Sequence, residues 1–171
     1  MTRPSRAVVA VLTAALLSLV APSFAAAPAG AHSRSQADIS ATARRSSPPR
    51  PATAARSMLK LINHERAAAG LDELTVDPAL TEIAATWSRR MARSNRLAHN
   101  PSLRTQVSEV APGWRRLGEN VGVGSNVTAL HRAFMASAGH RGNVLGNFDR
   151  IGIGVVVANG RTWVTVDFVR S

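Results

Sequence analysis

The end of the chain carries the pattern that most constrains the fold. Ile151–Val157 and Trp163–Val169 each alternate in side-chain character, and only a few residues separate them. Between them stands Asn159-Gly160, a pair that favours the positive φ angles of a type I′ turn. The sequence therefore predicts an antiparallel two-residue hairpin, whose apolar face other elements must cover.

Helical patterns precede this hairpin. The first predicted helix begins near Arg56 and stops at Gly70, and the second opens with Asp77 as N-cap and Pro78 at the first position. Asn126 is predicted to cap a third helix. Helices first and a hairpin last predict an α+β fold, with helices packed on the faces of a small, mainly antiparallel sheet.

The 171-residue chain contains no cysteine. This excludes disulfide bonds, thiolate metal sites and a thiol nucleophile. The predicted domain, residues 56–171, must therefore be held by its apolar core, and its length is sufficient for one.

Residues 1–31 are predicted to be a signal peptide. The uncharged run Ala7–Val20 is too short to span a bilayer, and small residues allow cleavage after Ala25 or after Ala31. We expect a secreted protein, free or associated with the cell wall, with no membrane span after cleavage.

Residues 32–55 are predicted to be a disordered linker. The segment is rich in Ser, Ala, Arg and Pro and has almost no large apolar side chain. Such a composition cannot bury enough surface to offset the entropy of ordering. We expect this linker to contribute nothing to the core.

The chain is strongly basic, with a net charge of +11. This charge predicts attraction to anionic polymers of the cell envelope. Nucleic acid is not a predicted partner, because the sequence shows no dense basic stripe with interleaved aromatic residues. We expect a monomer.

Three side chains are candidates for a functional site. They are His99 in Leu-Ala-His-Asn, Glu119 in Gly-Glu-Asn-Val, and His140 in Ala-Gly-His-Arg. Two imidazoles and a carboxylate can hold a divalent metal such as zinc, or perform acid–base chemistry. Spacing alone does not bring them together, and Glu119 could instead be a structural acceptor of backbone N–H groups.

Other polar residues are interpreted structurally. Ser137 precedes His140 by three residues, but no strained nucleophile elbow surrounds it, so it is interpreted as a helix cap. Buried polar contacts are expected of Asn63 and Arg66, and solvated helix faces of His64 and His131.

Six motifs between Met58 and Val169 resemble, in order, the CAP superfamily of cysteine-rich secretory proteins, antigen 5 and pathogenesis-related proteins. The likeness is greatest to its disulfide-free bacterial branch. The motifs lie in Leu61–Leu74, Leu80–His99, Gly118–Val121, Phe134–Leu145, Ile151–Val155 and Trp163–Phe168.

This resemblance implies an α-β-α sandwich whose cleft typically holds a His-Glu-Glu-His tetrad. His99, Glu119 and His140 match three of its members, and the second glutamate falls at Ser137. Asp167 stands where the family commonly has Gln. It either restores a carboxylate to the cleft or points outward.

The resemblance also implies extracellular interaction roles. We favour a binding module over an enzyme, and no catalytic residue is assigned. We expect its His99–Glu119–His140 cleft to hold a divalent metal or a small ligand, with lipid among the candidates. Ser137 and Asp167 are further candidates for ligand contact in this cleft. The alternatives are a metal-dependent extracellular hydrolase and a structural module that adheres to the cell envelope.

Overall fold

The computed structural model describes residues 50–171, which form five helices and four strands. The predicted signal peptide and residues 32–49 of the predicted linker lie outside the described residues. The elements are α1 Pro51–Ala68, β1 Thr75–Val76, α2 Pro78–Ser94, α3 Leu103–Val110, β2 Arg116–Gly124, α4 Val127–Ala136, α5 Ala138–Val144, β3 Arg150–Ala158 and β4 Arg161–Arg170.

The four strands form one sheet in the order β1-β3-β4-β2. Strand β4 pairs antiparallel with both β3 and β2, and the short β1 runs parallel to β3. Asn159 and Gly160 have φ angles of 51° and 69°, and Ala158 pairs with Arg161 across the turn. The predicted hairpin and the mainly antiparallel sheet are thereby confirmed.

Helices cover both faces of the sheet, so the predicted α-β-α sandwich is confirmed. Strand β4 is central, and its alternating side chains enter two cores. One core joins the sheet to α1, α4 and α5; its largest buried members are Met58, Ile62, Phe134, Phe148 and Phe168. The other face packs against α2 and α3 through Leu80, Met91, Val107, Trp163 and Val169.

The predicted helix starts are partly right. The Asp77 carboxylate accepts hydrogen bonds from the N–H groups of Ala79 and Leu80, and Asn126 Oδ1 accepts one from Ala129 N–H. These two caps are confirmed. No helix among residues 50–171 has the length and apolar character needed to cross a bilayer.

The start of the first helix is a correction. Helix α1 begins at Pro51, not near Arg56. Ala54 is only 2% exposed and packs in the same core as Met58 and Ile62. The three buried residues recur every fourth position, and proline is favoured in the first helical turn. The last residues of the predicted linker therefore belong to the domain.

Arg66 ties α1 to the segment that follows α5, as expected of a buried polar residue. It is 2% exposed, and its guanidinium donates to backbone carbonyls on a distant part of the chain. The three carbonyls are those of Val144, Gly146 and Phe148. Asn63 similarly exchanges two hydrogen bonds with the backbone of Leu74.

Helix α2 lies directly on the backbone of β3. A Cβ on Gly152 would overlap the backbone of Leu80, and one on Gly154 would overlap that of Ala84. Ser88 completes the contact by donating its hydroxyl to the Gly154 carbonyl at 3.0 Å. Only glycine at these two positions permits such close approach.

We expect Gly154→Ala to lower the free energy of unfolding by about 3 kcal/mol, because the added methyl group forces two backbones apart. Gly142→Ala is the matched control: its Cβ would meet nothing within 4 Å on the exposed helix α5. Alanine there should be neutral or stabilising by up to about 1 kcal/mol. Urea denaturation measures both, and equal effects would contradict this packing account.

Candidate functional site

The end of α2 delivers His99 to the edge of the sheet. Asn95 ends the helix in the left-handed conformation, with φ 48°, which asparagine tolerates better than most residues. The chain then turns, and Trp87 Nε1 donates to the carbonyl of Ala98 at 2.8 Å. This hydrogen bond fixes the backbone immediately before His99.

Strand β2 places Glu119 against His99. Glu119 Oε1 lies 2.6 Å from His99 Nδ1, and the carboxylate also accepts the N–H of Asn100 at 3.0 and 3.2 Å. The Glu119 side chain is 6% exposed and that of His99 is 64% exposed. A buried carboxylate therefore orients an exposed imidazole while accepting a backbone N–H.

Helix α5 carries His140, which is half-buried. Its ring packs on Phe134 with centroids 5.1 Å apart, and its carbonyl accepts a hydrogen bond from Asn120 Nδ2. Asn143 Nδ2 donates to both the carbonyl of Glu119 and Oδ1 of Asn120. These amides dock α5 onto the strand that carries Glu119.

The pKa values of the two imidazoles shift in opposite directions. The hydrogen bond that His99 donates to Glu119 raises the pKa of His99; burial opposes this and the negative charge of Glu119 adds to it. Burial lowers the pKa of His140, and the positive charge of His99 lowers it further. Near pH 6.5 these shifts favour the cationic form of His99 and the neutral form of His140.

Asp167 lies directly opposite Glu119 in the β2–β4 pairing. Its side chain is fully buried, and neither oxygen has a hydrogen-bond partner among the described residues. Burial raises the pKa of Asp167 well above its usual value, and the charge of Glu119 adds to the shift. Asp167 therefore points inward beneath Glu119, and does not provide an exposed carboxylate.

Ser137 occupies the N-cap position of α5, as the sequence predicts. Its hydroxyl makes no capping hydrogen bond, and within residues 50–171 it has no hydrogen bond to His140. Ser137 therefore occupies the predicted cap position but does not form the capping hydrogen bond.

The placement of His131 on a solvated face is wrong. His131 is 4% exposed, and its Nε2 has no partner among the described residues. Burial lowers its pKa, while Glu65 raises and His64 lowers it by smaller amounts. The spacing gave a usable signal, since His131 follows Val127 by four residues and precedes Phe134 by three.

A metal site made of His99, Glu119 and His140 stays a prediction. Residues 50–171 contain no group of three or more His, Asp or Glu side chains arranged to hold a metal ion. Both oxygens of Glu119 already accept hydrogen bonds. His99 and Glu119 are in direct contact. The charge of His99 affects the pKa of His140, and helix α5, which carries His140, is hydrogen-bonded to the backbone of Glu119.

The fold is that of a CAP-domain protein. The model of the cysteine-rich secretory protein family, CAP, matches residues 59–168. The chain therefore belongs to this family, and its lack of cysteine fits the disulfide-free branch. A comparison with curated proteins by sequence gives no match.

Solved structures agree with this assignment. An extracellular protein with an SCP domain from Bacillus anthracis is 25% identical with a TM-score of 0.63, over 71% of this chain and 41% of that one. A cysteine-rich secretory protein from Staphylococcus aureus is 22% identical with a TM-score of 0.60, over 71% and 40%. An outer surface protein from Borrelia burgdorferi is 15% identical with a TM-score of 0.62, over 67% and 90%. The chain thus spans about two-fifths of the length of the first two proteins.

We expect Asp167→Asn to stabilise the domain, on the order of 1–3 kcal/mol at pH 8, because a neutral amide replaces a buried carboxyl group whose negative charge has no partner among the described residues. The pKa of Asp167 is higher in the folded protein than its ordinary value of 3.8. The protonated carboxyl group therefore favours the folded state at low pH, and this stabilisation is lost as the pH rises through the folded-state pKa. The gain should therefore shrink towards pH 4. Thermal and urea unfolding across this range measure it.

Glu109→Gln is the control for this substitution, since Glu109 is an exposed carboxylate on α3. It should leave the pH dependence of stability unchanged. Destabilisation by Asp167→Asn at pH 8 would show that the carboxylate has a stabilising partner.

Proposed function

We propose that this chain is a secreted binding module whose cleft, formed by His99, Glu119 and His140, holds a small polar or anionic ligand. The observation that carries the proposal is the 2.6 Å contact between His99 Nδ1 and the buried Glu119 carboxylate. This contact occupies His99 Nδ1, so Nε2 is the nitrogen of the exposed ring that remains available to a ligand.

The opposite pKa shifts define the chemistry of such a ligand. A cationic His99 donates a charge-assisted hydrogen bond, and a neutral His140 can donate or accept one. An oxyanion that also carries an O–H group, such as hydrogen phosphate, complements this pair. The ion pair itself is neutral, so nearby arginines must supply the attraction.

Zinc fits this arrangement less well. A metal requires neutral imidazoles, and the raised pKa of His99 opposes loss of its proton. With Glu119 committed to His99 and Asn100, only the two histidines would remain as ligands. Zinc binding by all three residues stays a prediction, and the experiment below includes it.

The lipid and hydrolase alternatives also stay predictions. An apolar pocket bordered by Leu59, Val76 and Ile153 has a volume of about 100 Å³. Ligand pockets usually begin at about 300 Å³, so this pocket is too small for an acyl chain. For hydrolysis, no described residue forms the hydrogen bond to Ser137 by which a base would activate it.

The names of the similar structures support an extracellular location. One is an extracellular protein and another an outer surface protein. The predicted signal peptide at residues 1–31 supports the same location. Whether the protein diffuses or stays with the envelope depends on what it binds.

The test is NMR titration of the histidine Hε1 signals with inorganic phosphate at pH 6.5. Saturable shifts of His99 and His140 are expected, and binding should weaken as pH rises through the pKa of His99. His99→Gln should abolish these shifts. His64→Gln is the matched control, because His64 is an exposed histidine on α1.

Two results would contradict the proposal. Phosphate could shift neither ring, or shift His64 as strongly as His99. A parallel titration with Zn²⁺ alone could instead perturb both cleft histidines with one-to-one stoichiometry, release of protons and higher affinity than phosphate. That result would assign the cleft to a metal.

A further inference from the structure

The segment around the end of α2 carries unbalanced positive charge. From residue 83 to residue 108 the chain has no Asp or Glu, and it has five arginines: Arg89, Arg90, Arg93, Arg96 and Arg104. The ion pairs among residues 50–171 involve none of them. These guanidinium groups therefore lack a carboxylate partner within the described domain.

Two of these arginines line a depression, which we call the α2 depression. Arg90, Arg96, Trp87, Ser94 and His99 border it, and its volume is about 350 Å³. This volume lies within the range of small-ligand sites. None of the described residues that line it is acidic. The turn that follows α2 brings Arg96 to the same depression as Arg90, which sequence spacing did not reveal.

The lining groups suit a sugar that carries an acidic group. The Trp87 ring is held by its hydrogen bond to Ala98, and the Arg90 guanidinium lies 5.4 Å from the ring centroid. A fixed aromatic ring offers a flat apolar surface, and guanidinium groups donate paired hydrogen bonds to carboxylate or phosphate. The Ser94 hydroxyl adds a donor and an acceptor for ring hydroxyls.

We propose that the α2 depression binds a repeat unit of an anionic polysaccharide, with the acidic group on Arg90 and Arg96 and the sugar ring beside Trp87. This inference rests on the proposed function, because His99 borders both the cleft and the depression. It names the ligand class: a polymer of sugars that carry carboxylate or phosphate. Arg93 lies one helical turn from Arg90 and extends the positive surface along the polymer.

A membrane surface is a weaker match for the same charges. Leu97 is the large apolar residue of this turn with substantial exposure, at 48%. A single leucine gives little insertion energy, and a concave site does not meet a flat bilayer. A sugar polymer, by contrast, can enter a depression one unit at a time.

The experiment measures binding of immobilised mature protein to polygalacturonate, with neutral dextran and poly-L-glutamate of matched length as probes. Polygalacturonate should bind, and added salt should weaken it because the arginines are exposed. Dextran lacks the charge and poly-L-glutamate lacks the sugar ring, so both should bind at least about fivefold more weakly. Equal binding of poly-L-glutamate, single-stranded DNA or phosphatidylglycerol vesicles would overturn the proposal.

Paired substitutions separate the depression from general charge. Arg90→Gln with Arg96→Gln should weaken polygalacturonate binding about tenfold. The matched control is Arg56→Gln with Arg132→Gln, which removes the same charge at exposed positions elsewhere. The control should change binding less than about twofold. Equal losses in the two pairs would show that net charge alone attracts the polymer.

Failure of the proposed function is distinguishable from failure of this inference. His140→Gln removes a cleft histidine that does not line the depression. It should abolish the phosphate response of the cleft and leave polygalacturonate binding intact. If the wild-type cleft ignores phosphate while the arginine pair still governs polymer binding, the proposed function alone fails. If phosphate binds the cleft but the arginine pair has no effect, this inference alone fails.

Discussion

The close contact between α2 and β3 determines the rest of this structure. Because Gly152 and Gly154 have no side chain, the helix settles onto the strand backbone. The helix axis and its end are then fixed over the sheet. The turn at Asn95 can therefore carry His99 to the Glu119 carboxylate on the opposite edge strand. A packing constraint in the core thus sets the geometry at the surface.

Two neighbouring carboxylates, Glu119 and Asp167, differ in the hydrogen-bond partners that they have. Glu119 has the His99 ring and the Asn100 N–H as partners, whereas its cross-strand neighbour Asp167 has none within the described domain. Two buried carboxylates this close do not both remain charged at low cost. Burial and the charge of Glu119 therefore both raise the pKa of Asp167, and the Glu119 carboxylate accepts the hydrogen bond of His99. Burial lowers the pKa of His140 on α5, the third residue of the proposed site.

Turn and helix-capping residues made much of the fold predictable from the sequence. The Asn159-Gly160 turn and the Asp77 cap are short-range signals that tertiary contacts did not override. Long-range burial was harder to anticipate. The helical start at Ala54 and the buried His131 depend on apolar neighbours distant in sequence. The pairing of His99 with Glu119 followed from family resemblance, since twenty residues of spacing carry no geometry.

The measurement that tests this account most directly is the pKa of His99, followed by NMR in the wild type and in Glu119→Gln. The account predicts a His99 pKa above 6.5 and a His140 pKa below it. Glu119→Gln should lower the first value, and the exposed-site control Glu109→Gln should leave it unchanged. A His99 pKa at or below 6.5 in the wild type, or one that does not respond to the loss of the Glu119 charge, would contradict the account.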